Sequence, residues 1–218
     1  MRTIAPDVHH IDRPLRFVGV ELGARMTVLS LPEGLLVHSP VDVSPADLAA
    51  LGEPRWVLAP NKLHHLFVGP WIAAGLEGWA APGLPEKRPD VPFTGVVQTG
   101  THPFGDTVEV VTLSCFSVTN EVVLYHKPSR TLLVTDLMFN IAPDAPWLTR
   151  AAMRCAGSYP GCQASLLERV WMDRPTVRAE LRSILDFPFE RIVMAHGDVI
   201  DTDAQRAMRH AYRWLGLD

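Results

Sequence analysis

Three histidines and one aspartate stand just beyond the ends of apolar runs in this chain. His64 and His65 follow Trp56-Val57-Leu58-Ala59. Asp136 ends the run Thr131-Leu132-Leu133-Val134-Thr135, and His196 ends Arg191-Ile192-Val193-Met194-Ala195. Short apolar runs rich in branched residues read as buried strands. Loops past the carboxyl ends of such strands are where open α/β sheets gather their ligands. Imidazoles and a carboxylate converging on one rim suit a divalent transition metal, zinc first, with iron or manganese as alternatives. The expected ligands are therefore His64, His65, Asp136 and His196. Asp136 and His196 are also the expected catalytic residues, with Asp136 either ligating the ion or orienting a bound water. If all four side chains bind, four-coordination leaves no position for water unless the ion expands its shell.

The elements that must carry these residues follow from local pattern. Arg16–Val20, Met26–Leu31 and Leu35–His38 read as strands of an antiparallel meander, with Pro32-Glu33-Gly34 as a turn. Ser44 and Pro45 open a helix that Gly52 and Pro54 end. The strand Trp56–Ala59 follows, then a helix within Leu66–Leu76. The proline-rich stretch Ala81–Pro92 reads as an extended loop, a flap over a site. Thr107–Leu113, Glu121–Tyr125 and Thr131–Thr135 form a second strand set. Helices are expected at Trp147–Cys155, Pro175–Leu185 and Asp203–Leu215, with a strand at Ile192–Ala195 before the last. Strands, helices, strands, helices in that order fit two sheets with helices outside. There is no solenoid repeat and no linker, so residues 1–218 are expected to form one domain.

Composition narrows the function classes. The chain has 218 residues, 47% hydrophobic and 20% charged, which suits a globular domain with a sizeable core. A formal charge of −4 without a basic block argues against nucleic acid as a partner. No apolar run approaches the roughly 20 residues that span a bilayer, and Met1–His10 carries no signal-peptide pattern. Three cysteines, Cys115, Cys155 and Cys162, without a C-x-x-C spacing fit reduced thiols and a cytoplasmic location. Phosphate-binding glycine loops and a G-x-S-x-G elbow are both missing. A small molecule is the expected partner.

At this point the chain resembles the metallo-β-lactamase-like superfamily. Four features carry the likeness: the amino-terminal meander, the cluster Asn61-Lys62-Leu63-His64-His65, the strand pair leading to Asp136-Leu137, and Ala195-His196-Gly197. The resemblance implies an α+β fold, an αββα sandwich of two mixed β-sheets packed face to face with helices on the outer faces. It also implies a metal-dependent hydrolase, with Asp136 at the metal-bridging aspartate and His196 at the final histidine. The Pro60-Asn61-x-x-His64-His65 and Ser129-Arg130-Thr131-Leu132-x-x-Thr135-Asp136 strings resemble a branch to which no activity is attached. The family motif is H-x-H-x-D-H. Aligning His65 with its last histidine puts His64 at the aspartate, Pro60 and Lys62 at the first two histidines, and the middle histidine near Ser117. The first metal site then lacks its ligands, and the second leaves a mononuclear centre. The rival readings are a binding protein on this scaffold that has lost the first site, and a non-haem iron redox protein.

Several other residues have weaker claims. Asp198 is a candidate to orient an imidazole through its second nitrogen, and Lys62 to offer charge to an anionic substrate. Glu121 reads as a strand-edge charge. His9-His10 reads as a solvated pair, and His38, His102, His126 and His210 as structural. Phe67, Trp71, Trp79 and Phe139 read as core before pocket.

Overall fold

The structure, a computed structural model, describes residues 1–114, 119–164, 169–170 and 172–217. Cys115 and Ser117 therefore lie outside the described residues. Two sheets dominate. The first has seven strands in the order β1 (Arg2–Ala5), β2 (Val8–Arg13), β5 (Ala24–Leu31), β6 (Gly34–His38), β7 (Pro54–Ala59), β8 (Glu77–Ala80) and β9 (Gly95–Val96). Its first four strands pair antiparallel, and pairing from β6 to β9 is parallel. The second sheet runs β10 (Val108–Thr112), β11 (Val122–His126), β12 (Thr131–Leu133) and β15 (Arg191–Val193), antiparallel until the parallel β12–β15 pair. Two short ribbons stand apart: β3 (Arg16–Phe17) with β4 (Val20–Glu21), and β13 (Phe139–Ile141) with β14 (Gly161–Gln163).

The strand alternation builds the layers. Leu29, Leu36, Trp56 and Leu58 face Val110, Val122, Leu124 and Leu133 from the other sheet, in one buried cluster between the sheets. Their strand neighbours point the opposite way. Val28, Val37, Val57 and Ala59 pack on Val68, Trp71 and Leu84 from the outer helices of the first sheet. Val111, Val123, Tyr125 and Leu132 pack on Val177, Leu181, Ile184, Met208 and Ala211 from the helices covering the second. Both faces of the central strands are thus buried, which is why they read as continuous apolar runs. Each fully buried Leu or Val contributes about 1.5–3 kcal/mol. The result is the expected αββα sandwich of two mixed sheets with helices outside.

Helices cover Val68–Ala73, Leu84–Lys87, Trp147–Cys155, Arg174–Leu185 and Ala204–Ala211. Asp173 caps the fourth by accepting from Thr176 N–H at 3.2 Å. Several local expectations need correction. Arg16–Val20 is not one strand but the start of the β3–β4 hairpin, because Val18 and Gly19 both adopt positive φ and turn the chain. Ser44 opens only a 3₁₀ turn, Pro45–Leu48. The Ala81–Pro92 stretch is not wholly extended, since Leu84–Lys87 is helical. His9-His10 is not a solvated pair: it lies on β2, and His10 is 7% exposed, within reach of Asp12 and Arg25. No described helix is long and apolar enough to cross a membrane.

Candidate metal centre

The site forms where the carboxyl ends of β6, β7, β12 and β15 meet the amino end of the antiparallel β5. The two sheets are stitched together here. Val122 N–H donates to Pro60 O at 2.8 Å, and Lys62 N–H to Thr119 O at 2.8 Å. Asn61, fully buried, shapes the turn after β7: its Oδ1 accepts from Leu63 N–H at 2.7 Å and His64 N–H at 2.8 Å. Those two bonds fix the amide's orientation, so its nitrogen must face the other way. Nδ2 lies 2.8 Å from Asp136 Oδ2, 3.0 Å from Glu121 Oε2 and 2.9 Å from Thr135 Oγ1.

The turn brings His64 onto the ends of the other strands. His64 Nε2 lies 3.3 Å from Asp136 Oδ2 and 3.3 Å from His196 Nε2, and His196 Nε2 lies 3.6 Å from Asp136 Oδ1. Among the described residues this trio alone has three ligand atoms of His, Cys, Asp or Glu mutually within 4.8 Å. A tetrahedral zinc with bonds of about 2.0–2.1 Å holds its ligand atoms about 3.3–3.4 Å apart. Both His64 contacts match that spacing, and His196 Nε2 meets the other Asp136 oxygen, Oδ1, at 3.6 Å, so the carboxylate turns one oxygen toward each imidazole.

Each imidazole is oriented from behind. His196 Nδ1 donates to the Gly23 carbonyl at 2.7 Å, and a carbonyl can only accept, so Nε2 keeps its lone pair toward the trio. His64 Nδ1 lies 2.9 Å from Ser39 Oγ. Phe139 stacks on the His196 ring, with centroids 5.8 Å apart and planes 6° from parallel. His65 is turned out of the trio. Its Nδ1 meets Arg88 Nη1 at 2.8 Å, and Arg88 also pairs with Asp90. Three of the four expected ligands are brought together, and the turn imposed by Asn61 presents only one of the two adjacent histidines. Nor does Asp198 orient an imidazole. That role falls to Gly23, while the Asp198 backbone N–H bonds to Asn140 O at 2.8 Å.

Glu121 is the residue sequence reasoning missed. It is 1% exposed, not a strand-edge charge. It accepts from the backbone N–H groups of Thr135, Asp136 and Leu137 and from Asn61 Nδ2. With every contact a donor, the site is built for the carboxylate form. Burial pushes its pKa up and nearby Asp136 pushes it further, against the bonds from Thr135 and Asn61. For Asp136, burial also acts upward, but His64 and His196 overcome it and hold the carboxyl well below its ordinary value. For His64, burial opposes the proton and Asp136 more than restores it, so its pKa is raised. Burial, reinforced by His64, lowers His196 to about 4. Without an ion, Asp136 thus favours a proton on His64, and the Glu121 and Asp136 carboxyl groups lie side by side. A divalent cation with neutral histidines would balance both.

No protein-family model matches the sequence, and no curated protein does. Solved structures do. A metallo-beta-lactamase from Pontibacter korlensis superposes with TM-score 0.65 at 14% identity, covering 100% of this chain and 98% of that one. This chain has the metallo-β-lactamase fold. The mono-zinc form of FIM-1 from Pseudomonas aeruginosa gives TM-score 0.64 at 9% identity, covering 99% and 95%. A metal-soaked Flv1 flavodiiron core from Synechocystis gives 0.66 at 12% identity, covering 99% of this chain and 60% of that one. At such identities the likeness is one of fold, and fold does not carry function with it. What the metallo-β-lactamase fold adds here is a frame in which His64, Asp136 and His196 sit at one sheet-end rim.

Proposed function

We propose that this protein is a metal-dependent hydrolase acting on a small-molecule substrate, with one divalent ion held by His64, Asp136 and His196. The close approach of the three side chains carries the reading: His64 Nε2 lies 3.3 Å from His196 Nε2, and Asp136 meets His64 through Oδ2 at 3.3 Å and His196 through Oδ1 at 3.6 Å. Three protein ligands with a fourth position open is the pattern of catalytic rather than structural zinc. His65's absence from the trio supports an open position. When bound, a zinc or similar ion supplies Lewis-acid polarisation and a water acidified toward neutrality. Gly23 and Ser39 hold the two imidazoles, Asn61 donates to the Asp136 carboxylate, Glu121 accepts from the Asp136 backbone N–H, and Phe139 covers one face of His196. Asn61, whose amide bridges two carboxylates, and Lys62 occupy the segment where a second ion's histidines would stand. That supports a single-ion site with the first position degenerate.

Metal analysis of untagged protein tests this first. We expect close to one equivalent, retained after zinc is offered and lost in His196→Ala. Protein that takes up neither zinc, manganese nor iron would overturn the reading. A screen over esters, thioesters, lactams, lactones and phosphodiesters then tests hydrolysis, which should vanish with chelation. The non-haem iron reading is favoured by the His/carboxylate set, which suits iron equally. It would be chosen if freshly purified protein carried iron with a visible absorption band. A metal-loaded protein inactive on every class would point to a binding protein.

A further inference from the structure

The loop carrying His196 is gripped by a segment about 170 residues earlier in the chain. The Gly23 carbonyl accepts the hydrogen bond from His196 Nδ1–H. Two residues on, Arg25 N–H donates to Ala195 O at 2.9 Å. The Arg25 side chain reaches around the same loop: Nη1 donates to Met194 O at 3.0 Å and to Gly197 O at 2.7 Å. The carbonyls of residues 194, 195 and 197 are therefore all bonded by one residue, on both sides of the ligand. The loop needs such a grip. Gly197 sits at φ +86, where a Cβ would lie 2.2 Å from Asn140 O, and the chain turns sharply there.

The guanidinium is itself fixed. Its Nε donates to Asp12 Oδ1 at 2.8 Å and His10 Nδ1 at 3.0 Å, and the side chain is only 10% exposed. Asp12 balances its charge. A planar fork with five donors in fixed directions can hold β2 with one arm and two carbonyls with another, which a lysine ammonium on a flexible stem does not reproduce. We infer that Arg25 is a positioning residue for His196: it holds the 194–197 loop so that Nε2 stays in the ligand triangle. The inference rests on the metal reading above. Because the Arg25 and Gly23 backbone bonds survive a side-chain change, a variant keeps the loop attached while losing its clamp.

The test uses the full chain as wild type, Arg25→Gln, Arg25→Lys and Asp12→Ala. Zinc affinity is measured against a competing chelator, the cobalt(II)-loaded forms are compared by visible absorption, and the metal-free proteins are melted. Loss of a group bonded directly to a ligating histidine typically weakens metal binding roughly 10- to 100-fold; Arg25 holds the backbone around His196 while the Gly23 bond is kept. We therefore expect a loss at the lower end of that range, roughly 10-fold, for Arg25→Gln, with an altered cobalt spectrum, and smaller losses in the same direction for Arg25→Lys and Asp12→Ala. A folded Arg25→Gln protein with wild-type zinc affinity and cobalt spectrum, whatever its melting temperature, would overturn the inference and leave Arg25 a structural tie. Should Arg25→Gln fail to fold, unchanged affinity and spectrum in both milder variants would overturn it equally. Wild type that binds neither ion removes the metal reading itself, and that outcome is distinct because it appears before any variant is compared.

Discussion

Replacing Glu121 by glutamine changes one oxygen into an amide nitrogen and almost nothing else in shape. Its environment makes the change severe. The carboxylate receives Thr135 and Leu137 N–H on one oxygen, and Asp136 N–H and Asn61 Nδ2 on the other. Whichever way the glutamine amide turns, its NH₂ faces two donors. Turned toward the Oε2 side it strands the Asp136 N–H alone, because Asn61 Nδ2 keeps Asp136 and Thr135 as acceptors. A buried donor left unsatisfied costs about 1–3 kcal/mol, and the NH₂ pressed against donors adds to it. Removing a buried negative charge beside Asp136 offsets part of that, since burial and Asp136 already push the Glu121 pKa up. A net loss of about 1–3 kcal/mol is expected. For a chain of this size that lowers the melting temperature by about 2–12 °C. The assay is thermal and urea unfolding of metal-free Glu121→Gln beside wild type, followed by zinc titration. Zinc binding should also weaken, because the Thr135–Leu137 turn that aims the Asp136 carboxylate is what Glu121 holds. A melting temperature indistinguishable from wild type would refute the claim that these four donors need an anion.

Three other outcomes follow from the geometry. His64→Ala should lose zinc while His65→Ala keeps it at wild-type stoichiometry, because only His64 faces Asp136 and His196; equal losses, read by elemental analysis, would place both histidines on the ion. His38 is 2% exposed and burial, with His64 adding to it, lowers its pKa to about 3. The unfolded chain takes up that proton near pH 6.5 and the folded one does not. Its contribution is therefore intact above pH 6.5 and is lost as pH falls toward 3, at about 1.4 kcal/mol per pH unit at most. Urea titrations of metal-free His38→Asn should show a correspondingly shallower acid decline than wild type. Gly197→Ala should cost about 2–5 kcal/mol by unfolding, combining a strained φ with a Cβ driven into the Asn140 carbonyl; a near-neutral result would mean that the loop yields.

The legibility of this site in the sequence divides along the range of the interactions involved. Strands β7, β12 and β15 are buried on both faces, so each is a short apolar run, and the first polar residues beyond them mark the rim. His64, Asp136 and His196 are found that way. The edge of the first sheet is not, because β1 and β2 are polar and β9 has two residues. Which of two neighbouring histidines faces inward depends on a turn, and the residue type at Asn61 hints at it, because Asn side chains favour bonding their own backbone two or three residues on. That signal is local and was available. Glu121 is harder, since its partners lie 14 to 16 residues away and are backbone N–H groups, which every sequence offers. Arg25 is harder still: it binds carbonyls 169 and 172 residues distant, and a carbonyl carries no identity. The residues that would touch an ion are chosen for their chemistry and so announce themselves. Those that hold them in place meet featureless backbone, and only the folded chain brings the two together. Substitutions at Glu121 and Arg25 are therefore the sharper probes. They leave every proposed ligand intact: at Glu121 a weakened ion reports placement together with a lost negative charge, whereas at Arg25, where losing a positive charge would by itself favour a cation, a weakened ion reports placement.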